Sequence, residues 1–92
     1  MIVSRAVWTA VGVGSEASLL MQNTGATKIG YIIVDDQTAA NAVDPADGTF
    51  PYFLLRPTDG VVTVKELDVY SKQVFVRAIG AADGVIHTAS FQ

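Results

Sequence analysis

Residues Ser18–Asp36 read SLLMQNTGATKIGYIIVDD. Two apolar runs flank Asn23-Thr24-Gly25-Ala26, and the second run stops at a pair of aspartates. Both runs alternate with period two. Leu19 and Met21 fall on one face of the first, and Leu20 and Gln22 on the other. Ile29, Tyr31 and Ile33 oppose Lys28, Gly30, Ile32 and Val34 in the second. Such alternation is the mark of strands. Asn and Gly tolerate positive φ, so the stretch predicts a β-hairpin turning at residues 23–26. Gly30 within a strand predicts a bulge or a close backbone approach.

The same pattern continues in both directions. Ser4–Val13 alternates with apolar residues on both faces, which predicts a strand covered on two sides. Its early Arg5 and apolar run resemble a signal peptide only in outline. Trp8, Thr9, Gly12 and Gly14 interrupt the run, and it reads as a strand. After Asp36 the chain turns polar and alanine-rich. DDQTAANAVDPADG, Asp35–Gly48, predicts the longest loop, with a helical turn near Thr38–Val43. Phe50–Leu55 predicts an edge strand, because Pro51 cannot donate to a ladder. Arg56-Pro57-Thr58-Asp59-Gly60 is a turn, and Val61–Lys65 a short strand. Lys72–Ile79 alternates again. Gly80–Gly84 predicts a hairpin loop leading to the last strand, Val85–Phe91. About seven short strands at even spacing predict an all-β fold, a single small β-sandwich or jelly-roll-like barrel. Residues 1–92 form one domain in this reading, with residues 1–4 free to act as a loose arm.

Composition narrows the function. Half of the 92 residues are hydrophobic, which supplies a core, yet a chain this short buries it incompletely. Cysteine is absent and histidine occurs once, so disulfides, thiolate sites and histidine-cluster metal sites are excluded. Self-association is the remaining common support for a small domain. Net charge is −3, and the six basic residues, Arg5, Lys28, Arg56, Lys65, Lys72 and Arg77, are scattered. That disfavours a nucleic-acid face. No apolar stretch is long enough to span a membrane as a helix. Charged residues make up 16% of the chain, against roughly 25% in ordinary domains, which leaves neutral surface for protein contacts.

Chemistry-bearing groups are few. Asp35, Asp36, Asp44 and Asp47 crowd one loop, and oxygen-rich loops can bind calcium. Their spacing fits no EF-hand, and strand termination plus an Asx turn explains them better. His87 has Ser71, Ser90, Thr63 and Thr88 as conceivable nucleophiles and Asp68 or Asp83 as conceivable orienters. No nucleophile elbow accompanies them, so the expectation is no enzyme and no cofactor. Gly12-Val13-Gly14 lacks the rest of a phosphate loop. The segment TFPYFLLRP, Thr49–Pro57, stands out. Aromatic residues and arginine concentrate in interface centres, and an exposed aromatic edge strand needs a cover. Phe50, Tyr52, Phe53 and Arg56 are therefore candidate interface residues. Met1, Ile2, Val3 and Arg5 join them as a strand that a neighbour's sheet edge could accept.

The order of these features resembles small all-β structural proteins of tailed-phage virions. Leu20, Gln22, Asn23 and Gly25 match a "-QN-G-" element. Leu55, Pro57 and Gly60 match a "-L-PG-" turn, with Thr58 and Asp59 inserted between proline and glycine. Val74, Phe75, Val76, Arg77 and Ala78 match a "VYV-A" strand. The similarity spans about Leu19–Phe91. It implies a capsid decoration (cement) protein, or a related head-tail accessory protein, with no catalytic residues. It further implies a homo-oligomer, a trimer ahead of a dimer, bound to the major capsid protein or other virion proteins. The expected location is the capsid surface of the virion, after synthesis in the host cytoplasm. The alternative is a carbohydrate- or receptor-binding module of a tail fibre, with aromatics near Tyr52 in an exposed groove.

Overall fold

The computed structural model describes residues 1–13, 17–45, 52–67 and 71–91. Eight strands and one short helix lie among them: β1 (Ile2–Val3), β2 (Thr9–Gly12), β3 (Ser18–Asn23), β4 (Lys28–Val34), α1 (Gln37–Asn41), β5 (Phe53–Leu55), β6 (Val61–Lys65), β7 (Gln73–Ile79) and β8 (Gly84–Phe91). They form two four-stranded antiparallel sheets, ordered β1-β8-β3-β6 and β2-β7-β4-β5. Strand β1 pairs with β8, β2 with β7, β3 with β6 and β4 with β5. The chain is thus one long folded-back ribbon whose tip is the β4–α1–β5 connection. Wrapped into two layers, that ribbon is a jelly-roll sandwich.

The stretch Ser18–Asp36 is consequently not a hairpin. Strand β3 pairs with β6 and β8, whereas β4 pairs with β5 and β7 in the other sheet. Residues 24–27 form an arch between the layers. The alternation expected for each strand is present, but it serves pairs facing across the core. Leu19 and Met21 of β3 pack in one cluster with Ile29 of β4. The arch is held by Asn23, which is buried to 3% exposure. Its Nδ2 donates to the carbonyls of Thr27 (2.7 Å) and Leu55 (2.9 Å), and its Oδ1 accepts from the N–H of Gly25 (3.1 Å). The Thr24 N–H donates to Val85 O. Gly80–Gly84 is likewise an arch, because β7 and β8 lie in different sheets.

The strand expected over Ser4–Val13 is shortened to β2, and a separate strand, β1, forms in the expected arm before it. Strand β1 runs along β8, with Ile2 opposite Val85 and Val3 opposite Gly84. Met1 exchanges both backbone hydrogen bonds with Ile86. The chain then crosses layers, and the Ser4 carbonyl accepts from the Ala78 N–H (2.9 Å). Strand β2 continues on β7, with an irregularity between Ala10 and Gly12. Residues 1–4 are therefore docked rather than loose, because Val3 fills the core and the backbone finds partners in both sheets.

Two apolar clusters result. The larger lies between the sheets and includes Leu19, Met21, Ile29, Leu55, Val76 and Ile86. The smaller lies on the outer face of the β2-β7-β4-β5 sheet, where Trp8, Ala40 and Val43 cover Ile32 and Phe75. This explains why both faces of β4 and β7 are apolar. Gly30 sits on that outer face in an unbroken register, so it marks a close approach rather than a bulge. A Cβ there would lie 2.8 Å from Tyr52 Cδ2 and 3.2 Å from Ile79 Cδ1. Gly30→Ala is expected to destabilise the protein by about 1–3 kcal/mol through overpacking, and Tyr52→Leu in the same chain should recover part of it. Thermal melts of the two variants check this.

Candidate functional site

The expected interface residues fall into two patches. Met1, Ile2 and Arg5 are exposed beside β8 and β7, while Val3 is fully buried in the core and is no contact residue in this form of the chain. Side-chain alternation decides this: with Ile2 facing out, Val3 must face in. Tyr52, Phe53 and Arg56 lie at the opposite side, around β5 at the far end of the other sheet. Tyr52 is half-buried and packs against the Trp8–Phe75 cluster. Phe53 is 59% exposed and stacks on Tyr31, with ring centroids 5.1 Å apart. Partial burial raises the Tyr31 hydroxyl above its ordinary value. Arg56 closes its turn with Asp59, whose Oδ2 lies 3.6 Å from Arg56 Nε and accepts the Arg56 N–H. Phe50 lies outside the described residues.

The acidic loop is spread out by its own geometry. Asp35 forms an ion pair with Lys72. Asp36 caps α1, its Oδ1 accepting the Ala39 N–H at 2.8 Å, an arrangement typically worth about 1 kcal/mol. Asp47 lies outside the described residues. Among the described residues, no three His, Asp or Glu side chains gather as metal ligands. His87 stands exposed on β8 opposite Gln22. Thr88 and Ser90 point to the other face of the same strand, and Thr63 is two strands away on β6. Asp83 Oδ1 instead accepts the Arg5 N–H (3.0 Å). Asp68 is outside the described residues. Among the described residues no hydrogen bond joins His87 to a hydroxyl or carboxylate.

Two shallow concavities lie among the described residues. One, of about 240 Å³, lies between Arg5, Asp44, Pro45, Arg77 and Ile79. Arg77 Nε donates to the Arg5 carbonyl at 2.9 Å, which fixes the guanidinium at its rim. The other, of about 250 Å³, lies on the outer face of the β1-β8-β3-β6 sheet among Leu20, Gln22, Val61, His87 and Ala89. That face was not singled out in the sequence. The available signal was the apolar residues on both faces of Leu19–Met21 and of Val61–Val64, in strands that no described element covers on the outside.

Registers across that face give the rows Ile2–Val85, Val61–Gln22–His87, Thr63–Leu20–Ala89 and Lys65–Ser18. Among the described residues, Lys65 and His87 are its only ionisable side chains. Ile2 is 73% and Val61 56% exposed. Chemically this is a shallowly concave, nearly neutral surface suited to protein contact. Among the described residues no helix is long and apolar enough to cross a membrane. Searches against protein-family models, curated proteins and solved structures find no match to this chain.

Proposed function

We propose that this chain is a virion structural protein, a capsid decoration protein that binds the head through repeated symmetric contacts. The observation that carries the reading is the nearly charge-free outer face of the β1-β8-β3-β6 sheet. A small domain with one such face can make modest contacts many times over on a lattice, and multivalency then gives firm attachment. Jelly-roll sandwiches serve in viral capsids and also in lectins, so the fold is compatible with the reading without choosing it. The likeness of the Leu20–Gly25, Leu55–Gly60 and Val74–Ala78 strings to tailed-phage structural proteins adds to it. The partner is the major capsid protein or another virion protein, and the site of action is the particle surface.

The test is particle composition followed by rebinding. The chain should be present by mass spectrometry in gradient-purified particles of the phage that encodes it. Purified chain should rebind heads that lack it, and Val61→Glu should weaken rebinding at least about tenfold by placing a charge in a desolvated contact. Absence from the particles, or rebinding indifferent to Val61→Glu, would overturn the reading. The second reading, a carbohydrate-binding module, draws on exposed Phe53, stacked on half-buried Tyr31, as a ring against which a sugar can lie. It requires glycan binding that Phe53→Ala abolishes while particle attachment is unchanged.

A further inference from the structure

We propose that Arg5, Arg77 and Lys28 form a binding site for a phosphate-type oxyanion at one end of the outer face of the β2-β7-β4-β5 sheet. They are three of the chain's six basic residues, far apart in sequence, and the topology gathers them. Side-chain alternation fixes the face. Val76 and Ala78 of β7 and Ile29 of β4 pack in the inter-sheet cluster, while Phe75 and Ile32 pack in the outer one. Arg77, Ile79 and Lys28 therefore share the outer face. Lys28 stands directly opposite Ile79, and Arg77 is two residues back on the same strand. Opposed side chains in such a pair begin about 5 Å apart. On the other side of β7, the Ser4 carbonyl bonds to the Ala78 N–H, which brings Arg5 alongside. The concavity of about 240 Å³ lies between Arg5 and Arg77, with Pro45 and Ile79 as apolar walls.

Arg77 is already oriented. Its Nε donates to the Arg5 carbonyl at 2.9 Å. A guanidinium held through Nε keeps its two Nη groups as a fork, and that fork matches two oxygens of one oxyanion. Among the described residues, none of the three cations forms an ion pair with a carboxylate. Two carboxylates lie close by. Asp83 turns Oδ1 to the Arg5 N–H at 3.0 Å, and Asp44 lines the concavity. Three cations against two carboxylates make this end of the sheet locally positive, on a chain whose net charge is −3. Long-range attraction therefore does not collect the anion, and direct contact with the Arg77 fork must hold it. A monoanion is satisfied by that fork alone. A dianion also relieves the repulsion among Arg77, Arg5 and Lys28, so phosphate is favoured over a carboxylate. The site lies on the opposite sheet from the nearly neutral face, and the inference stands apart from the virion reading.

The test is a titration with inorganic phosphate near neutral pH, followed by NMR amide shifts. Chloride is adjusted to hold ionic strength constant, so that general screening does not change. The amides of Arg5, Arg77, Ile79 and Gly80 should shift and saturate, with a Kd on the order of 1–10 mM. Acetate should bind at least about threefold more weakly. Arg77→Gln removes the fork and should weaken phosphate binding at least about tenfold. Arg5→Gln leaves both backbone bonds of Arg5 in place, and Lys28→Gln alters an exposed side chain. Each should weaken binding about threefold with a native spectrum, and these two carry the test if Arg77→Gln disturbs the fold. Four results would overturn the proposal: shifts that do not saturate, shifts spread over both sheets, acetate binding as tightly as phosphate, or wild-type affinity in both Arg5→Gln and Lys28→Gln.

Discussion

Asn23→Ala will lower stability by about 2–4 kcal/mol, a large share of the total for a domain of this size. The loss comes from three hydrogen bonds made by a side chain that is 3% exposed. Truncation leaves the Leu55 carbonyl without its buried donor, and an unsatisfied buried acceptor costs more than the net worth of the bond that satisfied it. The Thr27 carbonyl and the Gly25 N–H lose partners in the same change. Asn23 also ties three parts of the chain: the end of β3, the arch, and the end of β5 in the opposite sheet. Asn23→Asp should fail nearly as badly. A carboxylate can still accept from Gly25, but it cannot donate to either carbonyl, and it adds a buried charge. Thr24→Ala, one residue on and exposed, should fall within about 0.5 kcal/mol of wild type. Urea unfolding decides the matter. The midpoint should fall in both Asn23 variants with the slope unchanged. Midpoints matching wild type would mean that Asn23 does not hold the arch.

The same residue shows what the sequence can and cannot convey. Alternation in Ser18–Asn23 and Lys28–Val34 places each side chain on its proper face, and these faces are borne out residue by residue. Alternation says nothing about which strand lies alongside. Asn-Thr-Gly reads as a hairpin because a local turn would need those residue types. An arch needs them too, for a different reason: a buried amide to bridge the layers and a small residue where Gly25 passes Val85. Choosing between the two depends on contacts with β6, β8, β5 and β7, all remote in sequence. The shortening of Ser4–Val13 to Thr9–Gly12 was hidden for a like cause, since the carbonyl of Ser4 finds its donor at Ala78. The surface was legible only in part. Low charge pointed to contact surfaces, and Met1, Ile2 and Phe53 are exposed. Val3 is buried because β1 docks on β8, a pairing remote in sequence.

The second large effect concerns the smaller apolar cluster, and it separates the two cores. Trp8 is 2% exposed, packs with Ile32, Ala40, Val43 and Phe75, and donates its indole N–H to the Val43 carbonyl at 2.9 Å. Trp8→Ala should cost about 3–5 kcal/mol, the usual range for deleting a large buried aromatic. Trp8→Phe keeps most of the packing but strands the Val43 carbonyl, so about 1–3 kcal/mol is expected. The location of the damage is more informative than its size. Trp8 touches α1 and the segment after it, and Gln37 Nε2 reaches back to the Trp8 carbonyl at 3.0 Å. The inter-sheet cluster around Met21 and Val76 shares no member with this one. Hydrogen exchange on Trp8→Phe should therefore show the amides of Ala39, Ala40 and Val43 losing protection first, because α1 opens as a local unit. The amides of Met21 and Val76 should follow only the global loss of stability. If all of these amides weaken by the same factor, the outer cluster is part of the cooperative core. The tip of the folded-back ribbon would then be an integral part of the sandwich, and it could not open while the two sheets stay closed.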